Sequence, residues 1–123
     1  MAALNRAVDL MFGGLASLPG SAVMRFQVQL WGEGTTNPEV LESMNAVKQT
    51  ILAYLSDIVR GGQDSGEFAL GADPENVARV LMSSYDGLIL QKALDNDIDV
   101  RSYVAALRSV MYGYLPGQTH LGR

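Results

Sequence analysis

The chain contains no cysteine, which excludes a disulfide, a thiolate metal site and a cysteine nucleophile. That absence fits a reducing cytosol, and a cytoplasmic protein is the expectation. Charge is scarce as well. Only 18% of the residues are charged, the net charge is −4 at pH 7, and the sequence pI is about 4.7. The nine Lys and Arg are spread thinly, with no two adjacent, so the basic patch that neutralises phosphates is missing. The chain by itself is not expected to grip DNA or RNA. Long apolar runs are missing too. The uncharged stretch 10–24 is interrupted by Gly13, Gly14, Pro19 and Gly20, and a bilayer span needs about 20 consecutive apolar residues. Asp9 at its front and a lone Arg6 before it make a poor export signal. No membrane partner is expected.

Catalytic material is equally thin. No Ser–His–Asp set, phosphate-cradling glycine loop or pair of catalytic carboxylates can be assembled. The single histidine, His120, falls in the expected tail, without the neighbours that orient a metal ligand or a general base. Asp95, Asp97 and Asp99 imitate a calcium loop but lack its glycine and its distal glutamate. Helix capping explains them better. No catalytic residue, no metal site and no cofactor is expected.

What the chain has in quantity is apolar side chain: 48% of 123 residues are hydrophobic. That length makes one domain, and such a domain buries only about two-thirds of the surface its unfolded form exposes. Scattered surface Leu and Met on a monomer is one outcome. A partner surface is the outcome the pattern below favours.

Helical spacing dominates. Leu4, Val8, Met11, Leu15 and Leu18 make a first stripe, expected to end at Pro19-Gly20. Met24, Phe26, Val28 and Leu30 alternate as a strand does, but no other segment offers a strand to pair with, so the stretch is read as a helix. It would then carry Val23, Phe26 and Leu30 on one side, with Met24, Val28 and Trp31 beside them. After a loop at 32–36, Asn37-Pro38 starts a long helix, with Asn capping and Pro at its first position. Its stripe is Val40, Met44, Val47, Ile51, Tyr54 and Ile58, widened by Leu41, Leu52, Leu55 and Val59. Gly61-Gly62 is a weak point, and Gly66 is the expected left-handed stop. Asp73-Pro74 repeats the start signal, and Asp95-Asn96-Asp97 makes a turn. Asp97 or Asp99 then caps a last helix with the stripe Val100, Tyr103, Val104, Leu107, Val110, Met111 and Tyr114, stopped by Pro116-Gly117. The expectation is an all-α domain of about five helices over 1–115, with 116–123 a tail.

The penultimate helix carries two stripes. Ala78, Met82, Tyr85 and Ile89 form one, with Val77, Leu81 and Leu88 beside it. Val80, Ser84, Gly87, Gln91 and Leu94 form the other, small and weakly polar with a glycine at its centre. Glycine inside a helix costs roughly 1 kcal/mol relative to alanine, and close approach of another helix is a good reason to keep it. The last helix supplies matching material in Ala106, Ser109, Val110 and Gly113. A symmetric four-helix interface between two copies is the simplest assembly of such parts. The alternative is that Gly87 admits another helix of the same chain.

The succession Asp73-Pro74-Glu75-Asn76, Val80-Leu81 and Tyr85-Asp86-Gly87-Leu88, then Asp95-Asn96-Asp97, resembles the C-terminal domain of the tetracycline-repressor (TetR) family. Gly66-Glu67-Phe68 after a long helix resembles the same family, as does the tryptophan helix followed by Asn37-Pro38-Glu39. The resemblance runs from the first helix to Leu115. It implies an all-α homodimer built by the last two helices, and a cavity among the earlier helices for a small effector. Effector binding then shifts the spacing of two DNA-reading heads. The family's three-helix head is not matched by anything in the sequence, so DNA contact is expected only through an absent N-terminal domain.

Met and aromatic side chains suit an adaptable apolar pocket. Its candidate walls are Met11, Phe26, Leu30, Trp31, Met44, Ile51, Tyr54, Met82 and Tyr85. Ordinary core packing is the competing explanation for each. Tyr54 and Tyr85 stand out because a buried phenol wants a hydrogen-bond partner. Two other functions remain open at this point: a stand-alone helical carrier of small ligands, or a headless partner that sequesters a full-length regulator.

Overall fold

A computed structural model describes residues 2–15, 18 and 20–114. The described elements are five helices: α1 (Ala2–Phe12), α2 (Ala22–Gly34), α3 (Pro38–Asp64), α4 (Pro74–Leu94) and α5 (Val100–Tyr114). The helical reading of the stretch through Phe26 is borne out, and no strand element occurs among the described residues.

The caps are those the sequence signals. Asn37 Oδ1 accepts from the amides of Glu39 and Val40 at 3.1 and 3.4 Å, and Asp73 accepts from the Asn76 amide at 3.3 Å. Each cap satisfies donors that the first helical turn leaves without partners. Asp99 caps α5, its carboxylate accepting from the Arg101 amide at 3.1 Å and the Ser102 hydroxyl at 2.8 Å. Asp97 lies in the turn, where its amide donates to Asp95 Oδ1 at 3.0 Å. Lys92 at the end of α4 donates to the carbonyls of Asn96 and Ile98 at 2.7 and 2.6 Å, drawing the connection to α5 tight.

α3 ends in a paired hydrogen-bond motif. The Glu67 amide reaches the Gly62 carbonyl at 2.7 Å and the Gly66 amide reaches the Gln63 carbonyl at 3.1 Å, with Gly66 left-handed at φ +84°. Gly61-Gly62 does not interrupt the helix. A Cβ on Gly62 would come within 2.5 Å of the Phe68 ring, so the ring sits where only glycine leaves room.

The core gathers Leu4, Val8 and Phe12 of α1, Met24 of α2, Leu52, Leu55 and Val59 of α3, Leu81, Leu88 and Ile89 of α4, and Leu107 and Met111 of α5. α4 packs against α2 and α3, and α1 packs against α3, α5 and α4.

Four expectations need correction. The first helix stops at Phe12 and not at Leu18, because Gly13-Gly14 lowers the cost of leaving the helix. Leu15 is still buried and Leu18 still packs on the core, which is why their spacing imitated a continuing helix. α2 runs through the expected loop to Gly34, where the turn at Thr35 and Thr36 begins. In α3 the core side is Leu52, Leu55 and Val59, whereas Val47, Ile51 and Tyr54 of the expected stripe are exposed. Val110, expected in the core stripe of α5, is exposed as well. Pro19, Pro116-Gly117, His120, the expected tail and the Tyr114 side chain lie outside the described residues.

Candidate functional site

The second stripe of α4 flanks the side that enters the core. Val80 is 55% exposed and Leu94 80% exposed, with Leu90, which the sequence reading did not single out, on the same side at 42%. Gln91 is exposed, while Ser84 and Gly87 are half-buried. A Cβ on Gly87 would meet nothing within 4 Å. No helix among the described residues therefore uses the close approach that Gly87 allows. The Ser84 hydroxyl is turned back onto its own helix, donating to the Val80 carbonyl at 3.1 Å, so the stripe presents no unsatisfied polar group there.

On α5, Val110 is 65% exposed, Ala106 and Gly113 are exposed, and a Cβ on Gly113 would also meet nothing within 4 Å. Tyr103 ties the two helices together, its phenol donating to the Ser84 carbonyl at 2.8 Å. Among the described residues the two stripes named from the sequence are thus largely exposed, with Ser84 and Gly87 half-covered, and a hydrogen bond reaches from α5 to the middle of the α4 stripe.

The family model for the C-terminal domain of BetI-type transcriptional repressors matches residues 1–115. The chain belongs to this family. No match was found among curated proteins or among solved structures.

In this BetI-type domain the nine effector candidates separate into two groups. Met11, Trp31, Met82 and Tyr85 pack, partly buried, against the common core. Leu30 and Met44 are half-buried, and Phe26, Ile51 and Tyr54 are exposed on the outer sides of α2 and α3. The first group thus borders the common core, and Phe26, Ile51 and Tyr54 of the second lie on the surface. Tyr54 also borders an open depression of about 410 Å³ between α1 and α3, with Arg6, Asp57 and Ile58. A second depression, of about 290 Å³, lies between α1 and α5 and is floored by Val8, Phe12, Val100 and Val104.

Tyr85 belongs to an aromatic cluster that the sequence reading did not identify. The Phe12 ring meets Tyr85 edge-on at 5.5 Å and Tyr103 at 6.2 Å. Burial, and then the neighbouring Asp86 carboxylate, push the Tyr85 phenol above its ordinary pKa. Burial also raises Asp86, with Lys48 of α3 pulling the other way. Both groups are held in their neutral forms more strongly than in water.

Two polar ties on α1 were also missed. Glu67 accepts from the amides of Ala3 and Leu4 at 3.1 Å each, across 64 and 63 residues of sequence. Arg108 of α5 bonds the Asn5 side chain and pairs with Asp9 at 2.9 Å. Contacts so distant in sequence leave no local pattern to read.

No helix among the described residues is long and apolar enough to cross a membrane.

Proposed function

We propose that this domain is the effector-sensing and dimerising part of a cytoplasmic transcriptional regulator. Two copies pair through α4 and α5 in a four-helix interface. A small, mainly apolar molecule binds among the first four helices, and DNA is met only through heads that lie outside this sequence. The observation that carries the reading is the uncovered small-residue face of α4 in a chain of this family. Val80, Ser84, Gly87, Gln91 and Leu94 on α4, with Ala106, Val110 and Gly113 on α5, are its proposed members.

Apolar surface left open on one helix face is the ordinary mark of an interface, and an isologous pairing lets one stripe serve both partners. The effector is assigned to the Met and aromatic side chains that the core does not fully use: Met11, Trp31, Met82 and Tyr85 inside, with Phe26, Leu30, Met44, Ile51 and Tyr54 at the outer margin. Such side chains adapt to varied apolar ligands. Coupling to DNA requires only that the effector favour one arrangement of the dimer over the other.

Sedimentation equilibrium on the wild-type chain and on Gly87→Trp tests the interface. A Cβ at Gly87 has nothing within 4 Å among the described residues, so the indole starts in open space, where it stands in the way of an approaching copy. The expected result is a wild-type dimer and a monomeric variant with unchanged helical circular dichroism. A variant that still dimerises like the wild type moves the interface elsewhere.

A further inference from the structure

Two polar ties hold α1, and they come from different parts of the molecule. Ala3 and Leu4 donate their amides to opposite oxygens of the Glu67 carboxylate, at 3.1 Å each. These are donors that a helix start otherwise leaves without partners, and a carboxylate at that end also complements the helix dipole. Along the next turn of α1, Arg108 of α5 reaches Asn5 and Asp9.

The position of Glu67 is itself fixed. It follows the left-handed Gly66, its own amide is bound to the Gly62 carbonyl at 2.7 Å, and the ring of the next residue, Phe68, lies against Gly62. The carboxylate therefore projects from backbone anchored to the C-terminal end of α3. Ala3 and Ala7 are among the residues by which α1 enters the core. Leu4, Val8 and Phe12 enter it beside them, and apolar burial has no direction of its own. Hydrogen bonds do.

We infer that Glu67 and Arg108 are positioning residues that set the bearing of α1, one referring it to the end of α3 and the other to α5. The inference deepens the proposed function, since it names the contacts through which a shift in α3 or in the α5 pairing face reaches α1. The ties themselves can be tested whether or not that function holds.

The experiment is residue-resolved hydrogen exchange on the full chain, comparing wild type, Glu67→Ala, Glu67→Gln and Arg108→Ala. Glu67→Ala is expected to speed exchange of the Leu4, Ala7 and Val8 amides by roughly tenfold or more, while Leu52, Leu55 and Val59 in α3 keep their protection. Glu67→Gln retains one acceptor oxygen and is expected to fall between wild type and Glu67→Ala. Arg108→Ala is expected to loosen α1 alone in the same way. The inference is overturned if α1 and α3 lose protection together, which marks a residue that only stabilises the whole fold. It is equally overturned if α1 exchange does not move. Glu67→Gln decides the matter if Glu67→Ala fails to fold.

Sedimentation of the same variants keeps the two readings apart. Each is expected to retain the association state of the wild type. A monomeric wild type defeats the proposed dimer and leaves the exchange result standing.

Discussion

The phenol of Tyr103 donates to the main-chain carbonyl of Ser84 at 2.8 Å, joining α5 to the middle of the open face of α4. The same ring lies 6.2 Å from that of Phe12, so one side chain connects the core to the edge of the proposed pairing surface. Tyr103→Phe keeps the ring and removes the donor. It is expected to lower unfolding stability by about 0.5–1.5 kcal/mol, the usual net worth of one such bond. Urea denaturation at fixed protein concentration measures it.

Phe12 is almost wholly buried and touches both Tyr85 and Tyr103. Phe12→Ala is expected to cost about 3–5 kcal/mol through lost burial and the cavity left behind, and Phe12→Leu considerably less. Denaturant midpoints for the two variants check the order.

Gly61 and Gly62 are adjacent and are expected to respond with opposite signs. A Cβ at Gly61 meets nothing within 4 Å, so Gly61→Ala is expected to stabilise α3 by up to about 1 kcal/mol. A Cβ at Gly62 meets the buried Phe68 ring at 2.5 Å and Ala3 at 3.2 Å, so Gly62→Ala is expected to destabilise by about 1–3 kcal/mol. Thermal melts of the pair compare them directly.

Asp99 and Asp86 give opposite pH dependences. The Ser102 hydroxyl first, and then the Arg101 amide, hold the Asp99 carboxyl below its ordinary pKa. Its contribution is therefore present above the unfolded-state value and fades as pH falls through the lowered one. Asp86 is raised by burial, so the fold favours its protonated form and loses stability as pH rises through the carboxylate range. Asp99→Asn is expected to flatten the loss of stability in acid. Asp86→Asn is expected to stabilise the domain at neutral pH. Unfolding curves between acid and neutral pH separate the two.

On the proposed pairing, Leu94→Glu and Val110→Glu place like charges on a self-complementary surface. Both side chains are exposed within the chain, so folding stability of the separated domain is expected to stay within about 0.5 kcal/mol of wild type. Association is expected to weaken tenfold or more, as read by analytical ultracentrifugation over a dilution series.

Local chemistry made much of this fold legible. Asn37-Pro38 and Asp73-Pro74 mark the starts of α3 and α4 because capping and a proline at the first position act within one turn. Gly66 marks the end of α3 because a left-handed residue is needed there. What the pattern did not convey is which of two apolar faces turns inward. On α2, Met24 is buried and Val28 and Trp31 pack on the core, while Val23 and Phe26 are exposed. On α3, Leu52, Leu55 and Val59 are buried while Val47 and Tyr54 are not. Periodicity reports that a face is apolar, and only the neighbouring helices decide what it meets.

The α4 stripe was legible for a different reason. Gly87 inside a helix is costly enough to need an explanation, and the chain's own packing does not supply one. The Glu67 and Arg108 ties were invisible because their partners lie on α1, at the other end of the sequence from Arg108 and 64 residues before Glu67.

Between Pro38 and Ile51, α3 has no buried residue, and only Val40 and Met44 are even half-covered. This part of the longest helix thus adds no fully buried side chain to the domain's interior, its inward contact being Met44 beside Gly34 of α2. Substitutions at its exposed positions can accumulate with little penalty to folding, so the chemistry of that surface can diverge while the scaffold stays the same.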